Sequence, residues 1–172
     1  MGNYSLPAKG GSEAIKREAQ LQNLSIPNTA MVVAIDNADP NDMNNVHRKN
    51  KQEIGRRLFL AADGIAYGDK SFEYSGPIYD RMEIKGNSIQ LYFSHIGTGL
   101  MAKDGDLRGF ALAGADKKFI SANAKIEGDK IIVSSSDISL PVSVRYGWGN
   151  NPVTSLYNKE NLPASPFRTD NW

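Results

Sequence analysis

Residues 31–35, MVVAI, constrain this chain more than any other stretch. An apolar run without alternation suits a strand buried on both faces, as in a parallel sheet. Such a strand needs hydrogen-bonding neighbours at its edges and a cover over each face. No other segment of the 172 residues reads as its parallel neighbour. On one side of it, SEAIKREAQLQNL reads as a helix over 12–24, with Ser12 as the N-cap and Glu13 favouring the helix dipole. Pro27, in SIPNT, breaks that helix. On the other side, a polar loop leads into a second helix over residues 51–66. There Ile54, Leu58, Ala61 and Ile65 form one apolar stripe. Residues 12–66 thus read helix–strand–loop–helix, the tail of a doubly wound α/β layout. The rest of that layout is expected either from a larger domain of which this is a truncated piece or from a partner chain.

From about Ser71 the period changes from helical to alternating. RMEIKGNSIQLYF points Met82, Ile84, Ile89, Leu91 and Phe93 inward and turns at Gly86-Asn87. AKIEGDKIIVSS turns at Gly128-Asp129, FALAGADKKFISA turns around GADK, and PVSVRYGW supplies another strand. Short strands at this spacing indicate an antiparallel sandwich. The expected class is α+β: an α/β tail over residues 1–70 and an antiparallel β-sandwich over 71–172.

Net charge is +1, which gives no reason to expect nucleic acid or an anionic membrane surface as partner. No run of 18 apolar residues marks a transmembrane helix, and the first 20 residues lack the apolar segment of a signal peptide. The chain has no cysteine, so thiol catalysis and cysteine zinc sites are excluded. Two histidines, His47 and His95, argue against a multi-histidine metal centre, and no cofactor is expected.

Several stretches resemble one family. REAQ, VVAID, DPND…HRKNKQEIGRRL, YSGPIYDRMEIKGNSIQLYF, GFALAGADKKFISANAKI, PVSVRYGWGNNP and LYNKENLPASPFRTDNW are similar to the C-terminal part of the sialate O-acetylesterases. These are carbohydrate esterases of the SGNH-hydrolase type. The resemblance implies an SGNH α/β domain followed by a β-sandwich, and an acetylated sugar of the sialic acid class as substrate. It implies a nucleophilic serine in a Gln-Ser-Asn-Met-like block and an oxyanion block like Trp-Tyr-Gln-Gly-Glu. Neither occurs in this chain. It places the general-base histidine of acyl transfer at His47. The family commonly sets an aspartate two or three residues before that histidine. Here those positions hold Asn45 and Asn44, and the nearest acid is Asp42. Arg48 stands where a proline usually follows. The resemblance also implies a periplasmic or secreted location. With only the histidine block present, the chain alone is expected to be inactive.

Other features have simpler readings. Asp39 and Asp42 suit turn and capping positions before a helix. The basic run RKNKQEIGRR, interrupted by Glu53, reads as a solvated helix face, and His95 as structural. An alternative function is a non-catalytic carbohydrate-binding or interaction module. It requires an exposed aromatic face around Trp148 and Trp172, with Tyr146 nearby.

Overall fold

The computed structural model describes residues 10–38, 47 and 50–172. The helical part holds α1 (Ser12–Gln22), running into a 3-10 turn at Asn23–Ser25. It also holds α2 (Lys51–Ala62), which continues as a π-helical turn over Asp63–Tyr67. Ser12 is not the cap of α1. Gly11 takes that place with no side-chain cap of its own. The cap comes instead from 137 positions away, where Asn150 Oδ1 accepts from Glu13 N–H at 3.3 Å. A side chain on Gly11 would collide with Asn150, since an added Cβ would lie 2.1 Å from its Oδ1. In α2 the cap is local: Asn50 accepts from Glu53 N–H at 3.1 Å.

Residues 31–34 do not form a strand. They pair with no other segment among the described residues, and Ile35–Asn37 closes the stretch as a 3-10 turn. The physical reason is the one the apolar run raised: a strand needs a neighbouring strand, and among the described residues every strand belongs to an antiparallel sheet.

The β part has ten strands: β1 (Ile78–Lys85), β2 (Ser88–Ser94), β3 (Leu100–Ala102), β4 (Phe110–Ala113), β5 (Phe119–Ser121), β6 (Asn123–Glu127), β7 (Lys130–Ser134), β8 (Ser143–Tyr146), β9 (Leu156–Asn158) and β10 (Phe167–Arg168). One sheet has the order β1-β2-β7-β6, a second β10-β8-β4-β5, and β3 pairs with β9 in a small third. The hairpins turn where the glycines indicate, at Gly86-Asn87 and Gly128-Asp129. The core is the alternating set of both sheets. Ile89, Leu91 and Phe93 of β2 and Ile131 and Val133 of β7 meet Phe110 and Leu112 of β4, Val144 and Tyr146 of β8, and Phe167 of β10. Ile84 departs from the expected inward pattern and is exposed: it lies on β1, the edge strand of its sheet, although its cross-strand partner Ile89 is buried. Tyr79 stacks on Phe167 with ring centroids 4.7 Å apart, joining the two sheets at one corner.

Leu112 is fully buried between the sheets. Replacing it with alanine is expected to lower the unfolding free energy by about 3 kcal/mol through lost burial and the cavity left behind. Urea denaturation followed by tryptophan fluorescence measures this.

Candidate active site

His47, the residue expected to act as the base, is exposed. Asp39, Asp42, Asn44, Asn45 and Arg48 lie outside the described residues. The residues flanking the segment that carries His47 are bonded to each other. Asn37 Nδ2 donates to Asn50 O at 2.7 Å, pinning together two residues thirteen positions apart. Just outside this pin stand Asp36 and α2.

Asp36 is the centre of a network that the sequence reading missed. Arg57 reaches it from α2 with a bidentate fork, Nη1 to Oδ1 and Nη2 to Oδ2, both at 2.7 Å. The same guanidinium donates to Val33 O and, through Nε, to Glu53 Oε1 at 3.0 Å. Arg57 is 3% exposed, so the basic run is not wholly a solvated face. Arg56 is exposed and pairs with Glu53 at 2.8 Å, whereas Arg57 points inward. A signal for this existed: Arg57, Ala61 and Gly64 recur at helical spacing and are all buried, the two small residues giving the inward face little bulk. Tyr157 Oη, from β9, completes the group by donating to Asp36 Oδ2 at 3.0 Å.

The electrostatics follow from these contacts. Burial works to raise the pKa of Asp36, but the hydrogen bonds and charge of Arg57 outweigh it and hold the carboxyl below its usual range. Hydrogen bonds from Arg56, and then from Arg57, hold Glu53 at about 2 against a smaller desolvation effect. Burial, with the Asp36 charge behind it, raises the Tyr157 phenol, so its proton stays on the oxygen and is donated.

His95 has a structural setting, with a carboxylate partner. Its Nδ1 lies 2.8 Å from Glu73 Oε1, and Tyr74 meets its ring edge-on at 5.3 Å. Ser75 is close in sequence to Glu73, but its hydroxyl donates to Gly76 O at 3.0 Å. Among the described residues this set therefore does not form a serine–histidine–carboxylate relay. The buried Asn158 holds the same corner, donating to Ser75 O and His95 O and accepting from Leu162 N–H. Gly76 is required here, because a Cβ would lie 2.0 Å from Pro163 O.

The aromatic face needed for a carbohydrate-binding module is not formed. Trp148 is 3% exposed and Tyr146 fully buried, with Tyr146 Oη accepting from Leu156 N–H at 2.9 Å. Burial raises the Tyr146 phenol strongly. The Arg168 guanidinium lies 5.1 Å from the Trp148 ring. Trp172 is partly exposed but lies beside Lys117 and Phe119. The sequence shows aromatic residues close together; their burial depends on which sheet covers them.

A groove of about 360 Å³ runs between residues 31–35 and α1, lined also by Ser165 and Pro166. Among the described residues no helix is long and apolar enough to cross a membrane.

This architecture is similar to a segment of a carbohydrate acetylesterase. A crystal structure of such an enzyme from Xanthomonas citri superposes with a TM-score of 0.87 and 42% identity, covering 92% of this chain and 36% of that one. The sialate O-acetylesterase of Homo sapiens is 28% identical over 157 residues, which is 84% of this chain and 30% of that protein. The Mus musculus sialate O-acetylesterase is 27% identical over 156 residues, 84% of this chain and 29% of that protein. No family model matches. The chain corresponds to the C-terminal part of the sialate O-acetylesterases and spans about a third of the length of the relatives it matches.

Acid is expected to weaken the Asp36 network. Its depressed carboxyl contributes stability that is complete above the ordinary aspartate value near 3.8 and is lost as pH falls through the lower folded value. Melting temperatures of the wild type should fall between pH 4.5 and 2, and Asp36→Asn should flatten part of that slope. Arg57→Met, which strands a largely buried carboxylate, should cost about 3–5 kcal/mol at pH 7 in chemical denaturation.

Proposed function

We propose that this chain is the C-terminal segment of a carbohydrate O-acetylesterase acting on acetylated sugars of the sialic acid class, and that His47 is its general base. The observation that carries the reading is the 42% identity to a carbohydrate acetylesterase across 92% of this chain. In this reading a serine from the remainder of the enzyme attacks the acetyl carbonyl while His47 accepts its proton. The sugar hydroxyl then leaves with that proton, and water, deprotonated by the same imidazole, releases acetate. Asp42, Asn44 or Asn45, which precede His47 in the chain, would orient the ring. An asparagine fixes the tautomer by a hydrogen bond but stabilises imidazolium less than a carboxylate does.

The α/β portion that would bring the serine has a place to dock. Residues 31–34 carry no strand partner, and the groove beside them is open. On α2 the exposed residues Gly55, Leu58, Phe59 and Ala62, with Ala66 in the following turn, recur at helical spacing. Leu58 is 54% and Phe59 62% exposed. An apolar stripe of this kind marks a contact surface. We divide the chain near residue 70, where the helical segment ends at Tyr67 and the strands start at Ile78.

The chain alone should give no saturable hydrolysis of p-nitrophenyl acetate. Co-expression with the serine-bearing portion of a related esterase should yield a complex on size exclusion and restore deacetylation of O-acetylated sialosides. His47→Ala should then cut kcat at least about a thousandfold. Saturable turnover by the isolated chain, or full activity of the His47→Ala complex, would overturn the reading.

A further inference from the structure

We infer that Tyr157 is a positioning residue for His47, acting from the β-sandwich through the Asp36 carboxylate. The inference rests on the reading of His47 as the base, but its physical content is independent: one hydroxyl in the sandwich fixes the residues that flank the segment carrying the histidine.

The geometry around Asp36 limits what that carboxylate can do. Its two oxygens receive three donors: Arg57 Nη1 on Oδ1, and Arg57 Nη2 and Tyr157 Oη together on Oδ2. The arginine fork ties Asp36 to α2, which begins on the far side of the His47 segment. Those two groups alone would define a local clamp, free to move as a unit relative to the sandwich. Tyr157 removes that freedom. It is 2% exposed, its strand pairs with β3 at Met101, and it bridges to Pro163. Lys103 Nζ stands 4.7 Å from its ring. A tyrosine side chain has few rotamers, and this one has no room to change them. Its oxygen is therefore a fixed point of the sandwich, and Asp36 is bonded to it directly.

From Asp36 the constraint has a short path to the histidine. The next residue, Asn37, is pinned to Asn50, the cap of α2, at 2.7 Å. Both stems of the segment carrying His47 are thus referred to one coordinate frame, set by Tyr157. The bond is also hard to replace. Burial and the Asp36 charge keep the Tyr157 proton in place, so it remains a donor throughout the working range of an esterase. A general base acts over hydrogen-bond distances, and a displacement of about 1 Å costs up to a hundredfold in rate.

The chain has only two histidines, which makes the test direct. Long-range proton–nitrogen correlation spectra of the labelled chain resolve two imidazoles. His95, held by Glu73, serves as the internal reference. Tyr157→Phe keeps the ring and deletes the donor. The expected result is a shift and broadening of the His47 ring signals, with His95 unchanged and the fold retained by circular dichroism. A folded Tyr157→Phe variant with both imidazoles as in the wild type from pH 5 to 9 would overturn the inference. If Tyr157→Phe does not fold, Asp36→Asn with Tyr157 intact is read by the same signals and decides in the same way. In the complex restored with the serine-bearing portion, Tyr157→Phe should lower kcat about tenfold with KM within twofold, a split that a generally loosened fold would not give. The two readings fail separately: an active His47→Ala complex sinks the role of the base, whereas unchanged imidazole signals in Tyr157→Phe sink only the role of the tyrosine.

Discussion

Three parts of the molecule meet on the two oxygens of Asp36: the apolar segment before it, α2 through Arg57, and the sandwich through Tyr157. The placement is costly unless every partner is present. A carboxylate and a guanidinium taken out of water lose several kcal/mol of hydration each, and only close geometry with further hydrogen bonds recovers it. Here the recovery is complete on both sides. Arg57 also binds Val33 O and Glu53, and Asp36 also binds Tyr157. Such an arrangement does not relax into a nearby alternative. It either forms with this register between helix and sandwich or leaves a buried charge unpaired.

Other contacts between the helical segment and the sandwich are of the same kind. Arg168 of β10 holds Glu18 of α1 through two bonds, at 2.8 and 3.0 Å. Arg17 donates to the carbonyls of Gly149 and Asn150, and Asn150 caps α1 in return. Behind this layer the buried Asp170 receives Arg145 at 2.9 and 2.7 Å. The joint is therefore directional. Apolar faces tolerate sliding, whereas bidentate pairs specify distance and angle together. Tyr157, Arg168 and Asp170 come from the last block, LYNKENLPASPFRTDNW, which is buried from Leu162 to Phe167. That block is one of the stretches that resemble the family. Its role as the connection between the two parts is visible only in three dimensions.

How far the fold was legible depended on the range of the forces involved. The hairpins were legible because turn glycines and alternation are local. Gly86-Asn87 and Gly128-Asp129 stand where β1 meets β2 and β6 meets β7. The cap of α1 was not, since its acceptor sits 137 residues away. The burial of Arg57 was misread because a basic run next to Glu53 looks like a solvated face until Asp36 is brought beneath it. Trp148 looked available for a sugar face, and only the packing of residues 143–149 shows it covered. Of the candidate site, His47 is an expectation from resemblance to a family. Asp36 and Tyr157 carry no local signature, since their bond spans 121 positions.

The apolar run at residues 31–35 and α2 present the same mismatch. In a helix at the surface of a complete domain, the apolar stripe faces the core and the charges face water. In α2 a charged residue, Arg57, is buried, while Leu58 and Phe59 are exposed. The neighbouring run is apolar enough for a central strand yet only half-buried over residues 31–34. Each oddity alone has local explanations. Together, on adjacent elements joined by Arg57 and Val33, they form the surface that the proposed α/β portion would cover. The Asp36 network holds that surface in place: the ion pair and the sandwich keep α2 and the run in register from behind. The proposed α/β portion would then meet a preformed edge, with most of the ordering cost already met by the sandwich rather than by binding.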